Sequence, residues 1–97
     1  LPVDARNQSL TQSTGNLAKI NIRKNGAYVI LGKQVTEEQI EGWLASELQK
    51  KPDLKVLVYA EREALHQFVP NLMSICRKVG IPTAHMALKT LKNTKTP

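Results

Sequence analysis
Few side chains in this chain could do chemistry. Glu61 and Glu63 follow the apolar run "KVLVYA" directly, with Arg62 between them. A carboxylate pair can perform general acid–base work. The carboxyl end of a strand is also where α/β sheets hold ligands. With Arg62 in the middle, a surface ion-pair cluster is the simpler reading, and an enzyme ranks third among the functions considered. The two histidines, His66 and His85, have no Ser, Cys, Asp or Glu at a fixed short spacing, so neither is placed in a catalytic group. Cys76 is the sole cysteine, which rules out an internal disulfide and a Cys-rich zinc site. Glu37, Glu38 and Glu41 read as a solvated helix face and not as metal ligands. No glycine-rich phosphate loop or nucleophile elbow is present. We therefore expect no catalytic residue, no cofactor and no metal site.

Elements must then be found that position whatever else the chain does. Its 97 residues suit one small domain, and 41% hydrophobic residues suffice for a modest core. In "LAKINIRK" (17–24), Ile20 and Ile22 alternate with Lys19, Asn21 and Arg23, the period of a half-buried strand. Asn25-Gly26 predicts a type I′ hairpin turn with φ > 0 at both residues. "AYVIL" (27–31) returns as the second strand, and Gly32-Lys33 turns the chain. Thr36 and Gln39 form a capping box for a helix running to about Lys50, with Ile40, Trp43, Leu44 and Leu48 on one face. Residues 54–60 read as a central strand. A second helix is predicted from about Ala64 to Val79, with Leu65, Val69, Leu72, Met73, Cys76 and Val79 as its apolar stripe; Pro70 is a blemish that costs less if the helix starts near His66, where its missing N–H is an orphan anyway. Gly80 is the expected left-handed residue ending it. "PTAHMAL" (82–88) is the last strand, with Ala84, Met86 and Leu88 inward.

The order is β-β-α-β-α-β. It predicts an α/β fold: a mixed four- to five-stranded sheet with two helices packed on one face. The other face is left without helices, and Val29, Leu31, Leu57 and Tyr59 should point toward it.

The net charge is +6. Half of that excess sits in the tail lysines Lys89, Lys92 and Lys95, not on one folded basic face with aromatic platforms, so nucleic acid is not an expected partner. No run approaches the roughly 18 apolar residues of a membrane span. The opening "LPVDARNQSLTQSTG" is too polar to form a core and its composition favours disorder. The domain organisation expected is a flexible leader (1–16), a folded domain (17–91) and a frayed basic tail (92–97).

The assembled pattern resembles the periplasmic domain of the ExbD/TolR family of proton-driven inner-membrane energy transducers. The residues that carry the likeness are Leu1-Pro2, where the family's transmembrane helix ends, the polar leader, "INIRKNGAYVILGKQV", "KVLVYAE" and "NLMSICRKVGI". Glu61 stands where the family commonly has Asp, and Pro70 is also a departure. The resemblance implies a missing membrane anchor upstream of Leu1, bearing an intramembrane aspartate. It also implies a homodimer in the periplasm, an ExbB/TolQ-like membrane subunit, and a TonB/TolA-like protein or the cell wall as the periplasmic partner. The residues expected to meet partners are Leu1, Pro2, Val3 and Leu10 in the leader, Leu57 and Tyr59 on the open sheet face, and Lys19 and Arg23 beside them. The alternative is a small basic RNA-binding protein similar to the ribosomal L30e/L7Ae group.

Overall fold
A computed structural model describes residues 16–91. The leader residues Leu1, Pro2, Val3 and Leu10 lie outside them, as does the tail 92–97. The elements are β1 (Leu17–Ile22), β2 (Tyr28–Ile30), β3 (Lys33–Val35), α1 (Glu37–Lys50), β4 (Lys55–Glu61), α2 (Val69–Val79) and β5 (Met86–Leu91). They form one mixed five-stranded sheet in the order β3-β2-β1-β4-β5. β1, β4 and β5 are parallel, whereas β2 and β3 are antiparallel to their neighbours.

The alternation in β1 decides which face is covered. Ala18, Ile20 and Ile22 join Val56, Val58 and Ala60 of β4 in one core with Ile40 and Leu44 of α1 and Leu72 and Cys76 of α2. Both helices thus lie on one face, the α/β architecture expected. Among the described residues, no polar or charged residue is buried. The core is apolar apart from the Tyr28 hydroxyl and the Cys76 thiol, so hydrophobic burial is the main drive for its closure.

The turns differ from the sequence expectation in an instructive way. At the first hairpin, Gly26 N–H donates to the Arg23 carbonyl (2.8 Å) and Arg23 N–H donates to the Ala27 carbonyl (2.9 Å). Gly26 has φ 93°, but Asn25 is not left-handed. The loop is therefore the three-residue kind with one left-handed residue, not type I′. Asn25 holds it by accepting the Ala27 N–H on its side-chain oxygen at 3.0 Å. The turn with two positive φ values comes one hairpin later, at Leu31 (53°) and Gly32 (79°), between the paired residues Ile30 and Lys33. Leu31 is consequently in a turn and not on the open sheet face, and 69% of it is exposed.

Helix α1 starts as predicted. Gln39 N–H donates to Thr36 Oγ1 (3.1 Å) and Thr36 N–H donates to Gln39 Oε1 (2.8 Å), closing the capping box. Helix α2 is shorter than predicted. A 3-10 turn occupies Arg62–Ala64, and the α-helix begins only at Val69. Pro70 is the reason. Placed in the first turn it forfeits no helical hydrogen bond, whereas a helix begun at Ala64 would carry it in the interior. Gly80 ends the helix at φ 112°, its N–H on the Arg77 carbonyl (3.0 Å) and that of Ile81 on the Cys76 carbonyl (3.0 Å). This is a Schellman motif. A Cβ on Gly80 would meet only Leu48 Cδ2 at an ordinary 3.6 Å. Gly80→Ala should therefore cost about 1 kcal/mol from backbone conformation alone. A denaturation midpoint shift of that size is the check.

The last strand also starts later than predicted. Pro82 holds Thr83–His85 in a 3-10 turn, with His85 N–H on the Pro82 carbonyl at 2.9 Å, and β5 runs from Met86 to Leu91. Ala84 is exposed in that turn, and Met86 is half-buried against the core. Leu88 shares the helix-side register with Val58, yet it is 44% exposed. β5 is an edge strand with one neighbour, so alternation there does not secure burial.

A helix-free sheet face beside an open strand edge
The face away from the helices is built from the other parity of each strand. Asn21, Tyr59 and Lys89 lie side by side across β1, β4 and β5, as do Lys19, Leu57 and Ala87. Val29 of β2 pairs with Asn21 and is 7% exposed. Leu57 and Tyr59 are half-buried. The result is an apolar centre with a cationic rim: Lys19, Lys55 and Lys89 are exposed on the face, and Arg23 is exposed just past the end of β1. Of the residues marked out in the sequence, Lys19, Leu57 and Tyr59 are thus brought together. A surface of this kind suits docking, because the apolar centre can be desolvated while the rim stays wet.

A second feature was not legible in the sequence. β1 pairs with β2 only at Asn21↔Val29 and Ile22↔Tyr28, while on its other side it pairs with β4 from Leu17 to Ile22. The first half of β1 therefore has one free edge among the described residues. Beside it lies a groove of about 550 Å³. Leu17 and Lys19 form one wall, Leu31 and Gly32 the other, and Trp43 and Lys50 come from α1 below. An adjoining hollow of about 460 Å³ shares Leu31 and Trp43 and adds Lys33 and Gln39. The sequence puts Trp43 on the apolar face of α1, as a core or interface residue. It is half-buried: it packs against the core and also lines both hollows.

The one carboxylate lining the groove, Glu47, is engaged by two lysines. Lys51 Nζ donates to Glu47 Oε1 at 2.9 Å and Lys50 lies 3.6 Å from the same carboxylate. The Lys51 hydrogen bond holds the Glu47 carboxyl below its ordinary range. Elsewhere the Tyr28 hydroxyl donates to Glu37 Oε2 at 3.0 Å. Burial, then the Glu37 carboxylate, pushes that phenol up.

The candidate chemical residues are dispersed. Glu61 is half-buried and Glu63 exposed, His66 is exposed, and His85 is half-buried with its Nδ1 lacking a hydrogen-bond partner. No group of three potential metal ligands occurs among the described residues. Cys76 is fully buried, and burial pushes its thiol up to about 11. It should resist a thiol reagent in the native protein and react only at the rate of unfolding. Fast labelling without denaturant would place it outside the core.

The comparison with known families is decisive for the kind of protein. The model for biopolymer transport protein ExbD/TolR matches residues 1–91. The chain belongs to the ExbD/TolR family. No curated protein sequence matches the chain. Membership makes this a biopolymer transport protein of the energy-transducer kind, and the RNA-binding alternative finds no support. In this ExbD/TolR domain, no helix among the described residues is long and apolar enough to cross a membrane.

Proposed function
We propose that this domain is the periplasmic, non-enzymatic interaction module of an energy-transducing subunit. In this reading an inner-membrane complex with an ExbB/TolQ-like subunit converts proton flow into motion. The domain, as a homodimer, passes that motion to a TonB/TolA-like protein or to the cell wall. The family match supports the transducer class. The observation that carries the docking role is the helix-free face with Leu57 and Tyr59 at its centre and Lys19, Lys55 and Lys89 around them. The leader residues Leu1, Pro2, Val3 and Leu10 are assigned to the same association.

Tyr59 is the better anchor, since it brings a large apolar body and a hydroxyl for the rim. Tyr59→Ala should weaken self-association or partner binding by about 1–2 kcal/mol and leave the fold intact. The cationic rim should make association weaken modestly with salt. Sedimentation at several protein concentrations and salt levels, with and without residues 1–15, is the test. A domain that stays monomeric at millimolar concentration and ignores TonB-like and cell-wall partners would refute the reading.

A further inference from the structure
Leu31 is the most exposed large apolar side chain among the described residues, at 69%. It stands at the tip of the β2–β3 turn at φ 53°, the first of two left-handed residues there. Such a position favours Asn, Asp or Gly, because a Cβ with a bulky side chain strains it. The little burial Leu31 has does not account for a leucine at this place. An uncovered side chain held in a strained backbone position points to a use outside the domain.

Its surroundings indicate which use. Leu31 and the half-buried indole of Trp43 are common to both hollows, so they lie together. Lysines surround them. Lys19, Lys33 and Lys50 are exposed and Lys51 is half-buried, against the single carboxylate of Glu47, which Lys51 and Lys50 already engage. A protruding apolar residue beside a tryptophan, ringed by long cationic side chains, matches the layers of a bilayer surface. The apolar tip suits the acyl boundary, the indole suits the headgroup level, and lysine stems carry their charges to the phosphates. The helix-free face also has a cationic rim, but Leu57 and Tyr59 are half-buried within the sheet and offer no protruding tip. Leu17, the first residue of β1, lines the groove too, so the chain enters the domain beside Leu31.

We propose that the tip of the β2–β3 turn docks on an anionic phospholipid surface, with Leu31 inserted, Trp43 at the interface and Lys19, Lys33 and Lys50 over the headgroups. One apolar residue and a few lysines make a weak, reversible contact, effective where the domain is already held near a bilayer. The proposal rests on the inner-membrane reading for that nearness alone.

The test uses the whole chain and large vesicles, either phosphatidylglycerol and phosphatidylcholine in equal parts or phosphatidylcholine alone. Trp43 is the chain's only tryptophan, so its emission reports the site directly. Anionic vesicles should shift that emission to the blue, and brominated acyl chains should quench it. Affinity for them should exceed that for neutral vesicles by about tenfold or more. Leu31→Asp should lower it by about fivefold or more, and the pair Lys33→Glu, Lys50→Glu by about tenfold or more. The pair Lys24→Glu, Arg62→Glu gives the same net charge at the opposite end of the sheet and should leave affinity within about threefold. Leu31→Asn should weaken vesicle binding yet raise the denaturation midpoint, because asparagine tolerates the left-handed conformation. The proposal is overturned if Trp43 does not respond up to millimolar anionic lipid, or if the two charge-reversed pairs lose affinity equally. A lowered midpoint for Leu31→Asn would overturn it too, by making the leucine a packing residue. So would loss of binding when Leu1, Val3 and Leu10 are replaced by serine, which makes the leader the lipid contact. Displacement by soluble glycerol phosphate would also overturn it, by making the patch a site for free anions. Failure here with a Tyr59→Ala-sensitive association intact would remove the lipid contact and keep the module.

Discussion

Leu72→Ala should lower the unfolding free energy by about 3 kcal/mol, and Leu88→Ala by less than about 1 kcal/mol. Both leucines were expected inward by periodicity. Leu72 is fully buried on α2, in the same core as Ile20, Val56 and Val58 of the sheet and Leu44 of α1. Removing its three terminal carbons leaves a cavity in a close-packed apolar layer, so a cavity cost adds to the lost transfer free energy. Leu88 is 44% exposed on an edge strand, where solvent fills the gap and no cavity forms. Chemical denaturation of both variants at one temperature gives the comparison. Equal losses would mean that the edge strand is covered in solution by something outside residues 16–91.

Gly26→Ala should cost about 2–3 kcal/mol from two separable causes. The residue sits at φ 93°, which penalises any Cβ by about 1 kcal/mol. A Cβ there would also stand 2.7 Å from Phe68 Cε1 and Cζ, closer than carbon atoms approach without displacement. Phe68 packs on the core just before α2, so its ring cannot swing away freely. The causes part in a double-mutant cycle. In a Phe68→Ala background the steric part vanishes, and Gly26→Ala should cost only about 1 kcal/mol. An unchanged cost in that background would show that the ring is not the obstacle. The contact also ties the β1–β2 turn to the entry of α2, two parts of the chain that no local pattern connects.

Which parts of this molecule were legible in advance follows from the range of the forces involved. Thr36 and Gln39 specify the start of α1 because a capping box closes within four residues. Gly80 specifies the end of α2 because only the local backbone must turn left-handed. The alternation of Lys19, Ile20, Asn21 and Ile22 fixed which face of β1 is covered, since side chains along a strand point alternately to opposite faces. The same parity put Leu57 and Tyr59 on the helix-free face, and the order of motifs was enough to suggest the family.

Where a choice lay between two locally acceptable conformations, tertiary packing decided it. Asn25-Gly26 is compatible with either of two short loops, and the register of β1 against β2, with Phe68 against Gly26, selected the one with a single left-handed residue. Pro70 could interrupt a helix begun at Ala64 or open one at Val69, and the chain takes the second, with a 3-10 turn at Arg62–Ala64 after β4. The groove beside β1 has no sequence signal at all. It exists because β2 is three residues long and β1 is six, so half of one strand edge is left without a neighbour. The length of a pairing is a property of two strands together, and Leu31, Trp43 and Lys50 line the space that is left. Amino-acid sequence by itself determined the kind and order of the elements, the covered face and the family likeness. The three-dimensional fold alone decided where a backbone edge stays open, because hydrogen-bond satisfaction between strands is a long-range condition that no local pattern encodes.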